Sequence, residues 1–213
     1  MRCALLLFCA ALAHSATPSL TYVRSFLGSE PAYFAVTVNQ TGDLQYQEAP
    51  ADPNPLHAHL AAAETAAMFA MAADLNYFKT QLESGLKVAN TGKKTFRYQD
   101  DSGKVTETTF NYSLNETAQH LLQKFEQIAA SERAYVELDS AMRFDKLGVN
   151  DALANLEAIW LHKRLAAPEQ FVPLLDRIVA HPSYMHLVRA RAAHLKEEFA
   201  ATGAAPSSDS SQR

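Results

Sequence analysis

Two histidines one residue apart, His57 and His59, are side chains whose type could hold a metal, and His181, His186 or His194 could join them. A site of that kind needs three or four converging ligands. The chain contains no HExxH and no His-x3-His, and its only cysteines are Cys3 and Cys9. Read as the first turn of a helix, His57 and His59 diverge by about 200°. No metal is expected, and the pair is read as surface or capping histidines.

Thr91-Gly92-Lys93-Lys94-Thr95 has the composition of a phosphate loop. The spacing is wrong: Gly85 precedes Gly92 by seven positions, and Lys94 stands where a Ser or Thr would be needed. The pattern after it is a strand's, so no helix N-terminus would face a phosphate. No G-x-S-x-G elbow occurs. Asp100, Asp101, Glu107 and Asp145 form no spaced pair suited to glycosidase chemistry, and Asp100 and Asp101 lie at a turn that favours them. The sequence therefore assigns no catalytic residue, no cofactor and no metal, and names no ligand-binding residue.

Lys163, Arg164, Arg177, Arg189, Arg191 and Lys196 gather near the C-terminal end, interleaved with Asp176, Glu197 and Glu198. Such mixing reads as solvated ion pairs and not as a nucleic-acid stripe. The chain is mildly acidic, at −4, which argues against nucleic acid and anionic membrane as partners. The aromatics Tyr33 and Tyr98 to Tyr112 could stack a ligand, but a core-facing sheet uses the same residues.

Two hairpins are written in alternation. Phe34, Val36 and Val38 lead to Gln40-Thr41-Gly42, and Leu44 and Tyr46 follow. A three-residue loop with Gly in the left-handed position sets Val38 against Leu44 and Val36 against Tyr46, which puts the large apolar residues on one face. Asp101-Ser102-Gly103 repeats the device. There Tyr98 meets Thr106, Phe96 meets Thr108 and Lys94 meets Phe110.

Each hairpin leads to a helix by period, one from about Leu56 to Leu82, stopped by Gly85, the other from Glu116 with Asn115 or Ser113 as cap. Further helices are read at Ser131–Leu147, from Asn150 to about Leu165, at Pro168–Ala180, and from Ser183 to about Ala201. The expected fold is α+β: an antiparallel sheet of two β-hairpins with helices on one face (ββα-ββα), then an antiparallel helical bundle. Residues 17–130 form the hairpin–helix region, and 131–201 form a helical region packed on it.

From Leu60 to Ala73 only Glu64 and Thr65 are polar. A helix apolar all round calls for cover on more than one side. The expected cover is the sheet with the C-terminal helices, or a protein partner or second subunit docked on helix 60–73.

Residues 1–16, MRCALLLFCAALAHSA, carry Arg2, an apolar run from Cys3 to Leu12, and small residues after it. This is the pattern of a secretory signal peptide, and the run is too short to span a bilayer. Cleavage there removes both cysteines, and a chain of the remaining length can support its core without disulfides. The expected location is secreted or periplasmic, without a membrane anchor. Sequons stand at Asn39, Asn111 and Asn115 and matter only in a eukaryotic secretory pathway. Residues 202–213, rich in Ser, Ala, Gly and Pro, read as a disordered tail.

Residues 171–199 resemble a HEAT-type helix pair, through Pro173-Leu174-Leu175 in the first helix and Val188-Arg189, Ala192-Ala193 and Leu195 in the second. That implies local helix packing and no function, because one repeat makes no solenoid. In element order the front half resembles bacterial metalloprotease inhibitors of the emfourin type. The stretches LESGLKVANTGKKTFRY (82–98) and FDKLGV (144–149) resemble exported bacterial proteins of no assigned function. The functional expectation is an exported, non-enzymatic binding protein. The alternatives are a secreted protease inhibitor and an enzyme with a dispersed site.

Overall fold

The computed structural model describes residues 16–203. The signal-peptide reading falls on residues outside these except for Ala16, and the tail reading falls outside from residue 204 onward. The chain is α+β. Six antiparallel strands, β1 (Ser19–Ser25), β2 (Tyr33–Asn39), β3 (Asp43–Gln47), β4 (Leu56–His59), β5 (Lys93–Gln99) and β6 (Val105–Phe110), form one sheet in the order β4-β3-β2-β1-β5-β6. Both hairpin registers are those the turn glycines dictate: Val38 opposes Leu44, Val36 opposes Tyr46, Phe96 opposes Thr108 and Lys94 opposes Phe110.

Two strands go beyond the expected hairpins. β1 lies between them, pairing with β2 on one side and β5 on the other, so that Tyr22 sits between Val36 and Phe96. β4 takes the place of the first turns of the helix expected from Leu56. Leu56, Ala58 and Leu60 are spaced two apart, and this spacing serves a strand whose inward positions meet Tyr46 and Leu44. Helix α1 (Ala62–Asp74) is correspondingly short and does not reach Leu82. It ends in a left-handed turn, with φ of 51°, 49° and 63° at Asn76, Tyr77 and Phe78. Such backbone is unfavourable for L-residues. Two rings fix it: buried Phe78 lies 5.2 Å from Phe96, and Tyr77 stacks on Tyr98 at 4.5 Å.

The expectation that α1 is covered on more than one side is not met among the described residues. Thr65, Met68 and Ala72 are buried, while Ala62, Ala63, Ala66, Ala67, Ala70 and Ala73 are exposed. Alanine is the strongest helix former and its methyl adds little apolar area, so this helix stands with one covered side.

Helix α2 (Glu116–Phe144) joins into one rod what reads in sequence as a helix from Glu116 and a second from Ser131. Asn115 is its N-cap, accepting from the Ala118 N–H at 2.9 Å. Its first half packs Ala118, Leu121, Phe125 and Ile128 on the sheet core, with Leu20, Tyr22, Val36 and Phe96. Its second half places Ala134 and Leu138 in a second core. That core is completed by α3 (Val149–Leu161), α4 (Val172–Ala180, entered through a 3-10 turn at Pro168–Phe171) and α5 (His186–Gly203). Gly148, not Asn150, precedes α3, and α5 starts at His186, three residues after Ser183. Leu174, Leu175 and Ile178 of α4 and Val188, Ala192, Leu195 and Phe199 of α5 share this core.

Between the two cores α2 carries two buried polar residues. The Ser131 hydroxyl accepts from the Ala166 N–H at 2.8 Å and donates to the Gln127 carbonyl. Glu132 is 1% exposed, and its Oε1 accepts from Gln170 Nε2 at 2.9 Å. Its Oε2 is buried with no hydrogen-bond partner among the described residues.

Candidate functional site

One face of the sheet is given to the core. The other carries Thr21, Thr37, Gln45, Gln47, Arg97 and Glu107 at alternating positions. Thr21 and Thr37 are joined hydroxyl to hydroxyl at 3.0 Å, and Arg97 meets Glu107 at 2.8 Å. Both of these pairs join neighbouring strands, while Gln45 Nε2 donates to Gln47 Oε1 along β3.

His57 and His59 occupy this surface on β4, both exposed. The helical reading, in which they diverge, is thereby corrected: two steps along a strand return to the same side. His59 Nδ1 lies 3.3 Å from Asp43 Oδ1. Hydrogen bonds from Asn39 and Thr41 hold the Asp43 carboxyl below the usual carboxylate range. Among the described residues no three His, Cys, Asp or Glu side chains converge on a point that could hold a metal.

A cleft opens at the end of the sheet where β1 and β6 finish and β2 and β5 begin. Loops 26–32, 83–92 and 111–115 meet there, the last two tied together at Asn111. Its N–H donates to Glu83 Oε2 at 2.6 Å, and its Nδ2 donates to the Ala89 carbonyl at 3.1 Å. Its Oδ1 accepts from the Thr91 N–H at 2.9 Å. Lys94, on the core side of β5 and 7% exposed, donates from Nζ to the Asn111 carbonyl and the Thr91 hydroxyl, both at 2.8 Å. Its ammonium is spent on holding a loop, so the sequence likeness to a phosphate loop has no chemical counterpart. Burial pushes the Lys94 pKa down, and the neighbouring Arg24 adds to that. The Asn111 N–H holds the Glu83 carboxyl below its ordinary range. Gly92, at φ +100°, could not carry a side chain, since a Cβ there would stand 2.7 Å from the Phe26 Cβ.

Behind the cleft, Arg24 Nη1 reaches Glu126 Oε2 at 3.4 Å, and the Tyr22 hydroxyl donates to Glu126 Oε1 at 2.7 Å. Burial pushes the Tyr22 phenol up, and the Glu126 carboxylate adds to it. The sequence singled out none of Tyr22, Arg24 or Glu126, because nothing local marks a tyrosine and a glutamate more than a hundred positions apart as partners.

The cleft has a volume of about 480 Å³ and is lined by Ser25, Phe26, Leu27, Glu83, Asn90 and Lys93 among others. It has no histidine beside its serine, and Glu83 is already engaged. Among the described residues no nucleophile–base couple is assembled there. Its distinguishing feature is an apolar rim. Leu27 is 94% exposed, and Leu86, Val88, Tyr112 and Leu114 are all exposed on the adjoining loops.

The loop that carries Leu27 is braced from within. The Phe26 N–H donates to the Ala32 carbonyl at 2.8 Å, and the Ser29 hydroxyl donates to the carbonyls of Phe26 and Pro31. All three sequon asparagines have structural work for their side chains: Asn111 in this hub, Asn115 as a cap, and Asn39 accepting from the N–H groups of Thr41 and Asp43.

Of the basic residues near the C-terminal end, Arg177, Arg191 and Lys196 pair with Asp139, Glu157 and Asp176. Of the aromatic strand residues, Phe96 and Phe110 are core, Tyr98 is half-buried against Tyr77, and Tyr112 is exposed. Among the described residues no helix is long and apolar enough to cross a membrane. Comparison with protein-family models finds no match, and comparison with curated proteins finds none either.

Proposed function

We propose that this chain is an exported, non-enzymatic binding protein that offers Leu27 and the rim around it to an apolar pocket on a protein partner. The observation that carries the reading is the braced 26–32 loop with Leu27 94% exposed at its tip. A large apolar side chain held out on a pre-ordered loop binds with little ordering cost and loses most of its exposed apolar area on entering a pocket. Leu86, Val88 and Leu114 are exposed on the loops that adjoin the cleft.

A photo-crosslinking residue placed at Leu27 is expected to trap one discrete partner in envelope extract, while the same residue at Thr37 traps none. Leu27→Asp should weaken that interaction by at least about ten-fold with unfolding behaviour unchanged. Equal trapping at both positions, or full binding by Leu27→Asp, would sink the reading. Protease inhibition is one form this binding could take, with the loop entering an active-site cleft. Inhibition of a secreted protease that is lost in Leu27→Asp selects that form.

A homodimer across residues 60–73 is the second reading. The exposed alanines of α1 support it, since small side chains let two helices approach closely. Sedimentation is expected to show a concentration-dependent dimer that Ala66→Glu abolishes, and a monomer at all concentrations dismisses it.

A further inference from the structure

Two adjoining clefts away from the loop end share one side chain, Lys163. The first, of about 350 Å³, runs between α1 and α2 and is lined by Met71, His120, Gln123, Lys124, Gln127 and Lys163. The second, of about 460 Å³, is lined by Trp160, Leu161, Lys163, Leu165 and Glu198. Their linings differ in side-chain type. The first gathers nitrogen-bearing side chains over a methionine floor, with Glu64 the counter-ion of Lys124 at 2.9 Å. The second is mostly apolar, and the Glu198 carboxylate at its edge is met by Trp160 Nε1 at 3.4 Å. In a chain of net charge −4 this concentration of cationic and amide groups is local.

Lys163 is set between them by a backbone that favours a different residue. Helix α3 ends with the Arg164 N–H on the Ile159 carbonyl and the Lys163 N–H on the Trp160 carbonyl. That is the helix-ending motif whose left-handed position is usually glycine. Here it is Lys163, at φ +54°. The chain thus accepts local strain to keep a long ammonium side chain at this point, and unlike Arg177, Arg191 and Lys196 it has no carboxylate partner among the described residues. Strain of this kind, held at the wall of a cleft, is a feature of ligand sites.

We propose that the two clefts form one site for a single-chain amphiphile with an anionic head, of the long-chain carboxylate class. The head lies between His120 and Lys163, beside the Lys124–Glu64 pair, and the chain lies along Trp160, Leu161 and Leu165. The combined size suits such a molecule. The charge complementarity selects an anion over a neutral lipid, and the apolar wall selects a chain over a free inorganic anion. The site shares no residue with the loop-end cleft, so it stands or falls apart from the function proposed above.

Trp160 is the only tryptophan of the chain and reports directly on the apolar half. Titration of the full protein with dodecanoate below its micelle concentration is expected to change Trp160 fluorescence saturably. Dodecan-1-ol and inorganic phosphate should each bind at least about ten-fold more weakly. Lys163→Gly relieves the left-handed strain, so it should fold at least as well as the parent while losing about ten-fold in dodecanoate affinity. Dodecyl phosphate compared with dodecanoate distinguishes a phosphate-headed lipid from a fatty acid as the source of the same chemistry. Equal binding of dodecanol and dodecanoate, undiminished binding by Lys163→Gly, or no saturable signal would each overturn the site.

Discussion

Phe125→Ala is expected to cost about 3–5 kcal/mol of stability, enough to bring the protein close to its unfolding limit. Phe125 is fully buried on α2 and stacks on Tyr22 at 5.4 Å, with Phe96 at 5.9 Å. Tyr22 in turn meets Phe34, and Phe96 meets Phe78 and Phe110. Truncation leaves a void at the centre of this ring cluster, and the sheet cannot move to fill it because β1 is paired on both edges. The measurement is urea unfolding followed by circular dichroism and by Trp160 fluorescence. Trp160 borders the other core, yet its transition should move to lower urea with the dichroism, because α2 runs unbroken through both. A Trp160 transition that stays in place while the dichroism shifts would show that the two cores melt separately.

The second large effect is a pH dependence. Burial pushes the Glu132 carboxyl from 4.5 up to about 7, and the hydrogen bond from Gln170 only partly offsets it. Between those two values the folded chain keeps a proton that the unfolded chain has released. Raising pH therefore favours unfolding across the window, and the loss is complete once Glu132 ionises above about pH 7. At about 1.4 kcal/mol per pKa unit this amounts to about 3 kcal/mol between pH 4.5 and 8. Glu132→Gln keeps a partner for Gln170 and cannot ionise. Its stability relative to the parent should rise by about that amount over the window. Parallel stability profiles for the two proteins would show that Glu132 does not hold its proton in the fold.

The hairpins were legible because their information is local. A glycine at the left-handed loop position and strict alternation fix the register within about twenty residues. β1 was not legible, since Leu20 and Tyr22 alternate too briefly and the next inward position is Arg24, whose charge is satisfied by Glu126 far along the chain. β4 was absorbed into the helix after it because Leu56, Ala58 and Leu60 run straight into alanines. Helix α2 reads as two because Ser131 and Glu132 interrupt its apolar stripe, and only the Ala166 N–H and Gln170 explain why they are inside.

The loop-end cleft was hidden for a related reason. Asn111 reads as a sequon and Lys94 as a loop cation, while their partners lie up to 28 positions away. Leu27 gave no signal, for an exposed leucine is unremarkable in sequence and informative only once its loop is seen to be braced.

The position of β1 has a consequence for how the protein withstands trimming. Most domains can lose a few residues at their N-terminal side with little harm. Here residues 19–25 are the seam that joins β2, β3 and β4 to β5 and β6. A peptidase that nibbled past Ser19 would not shorten an edge. It would part the sheet down the middle, expose Val36 and Phe96 together, and leave two fragments of sheet attached to one helix.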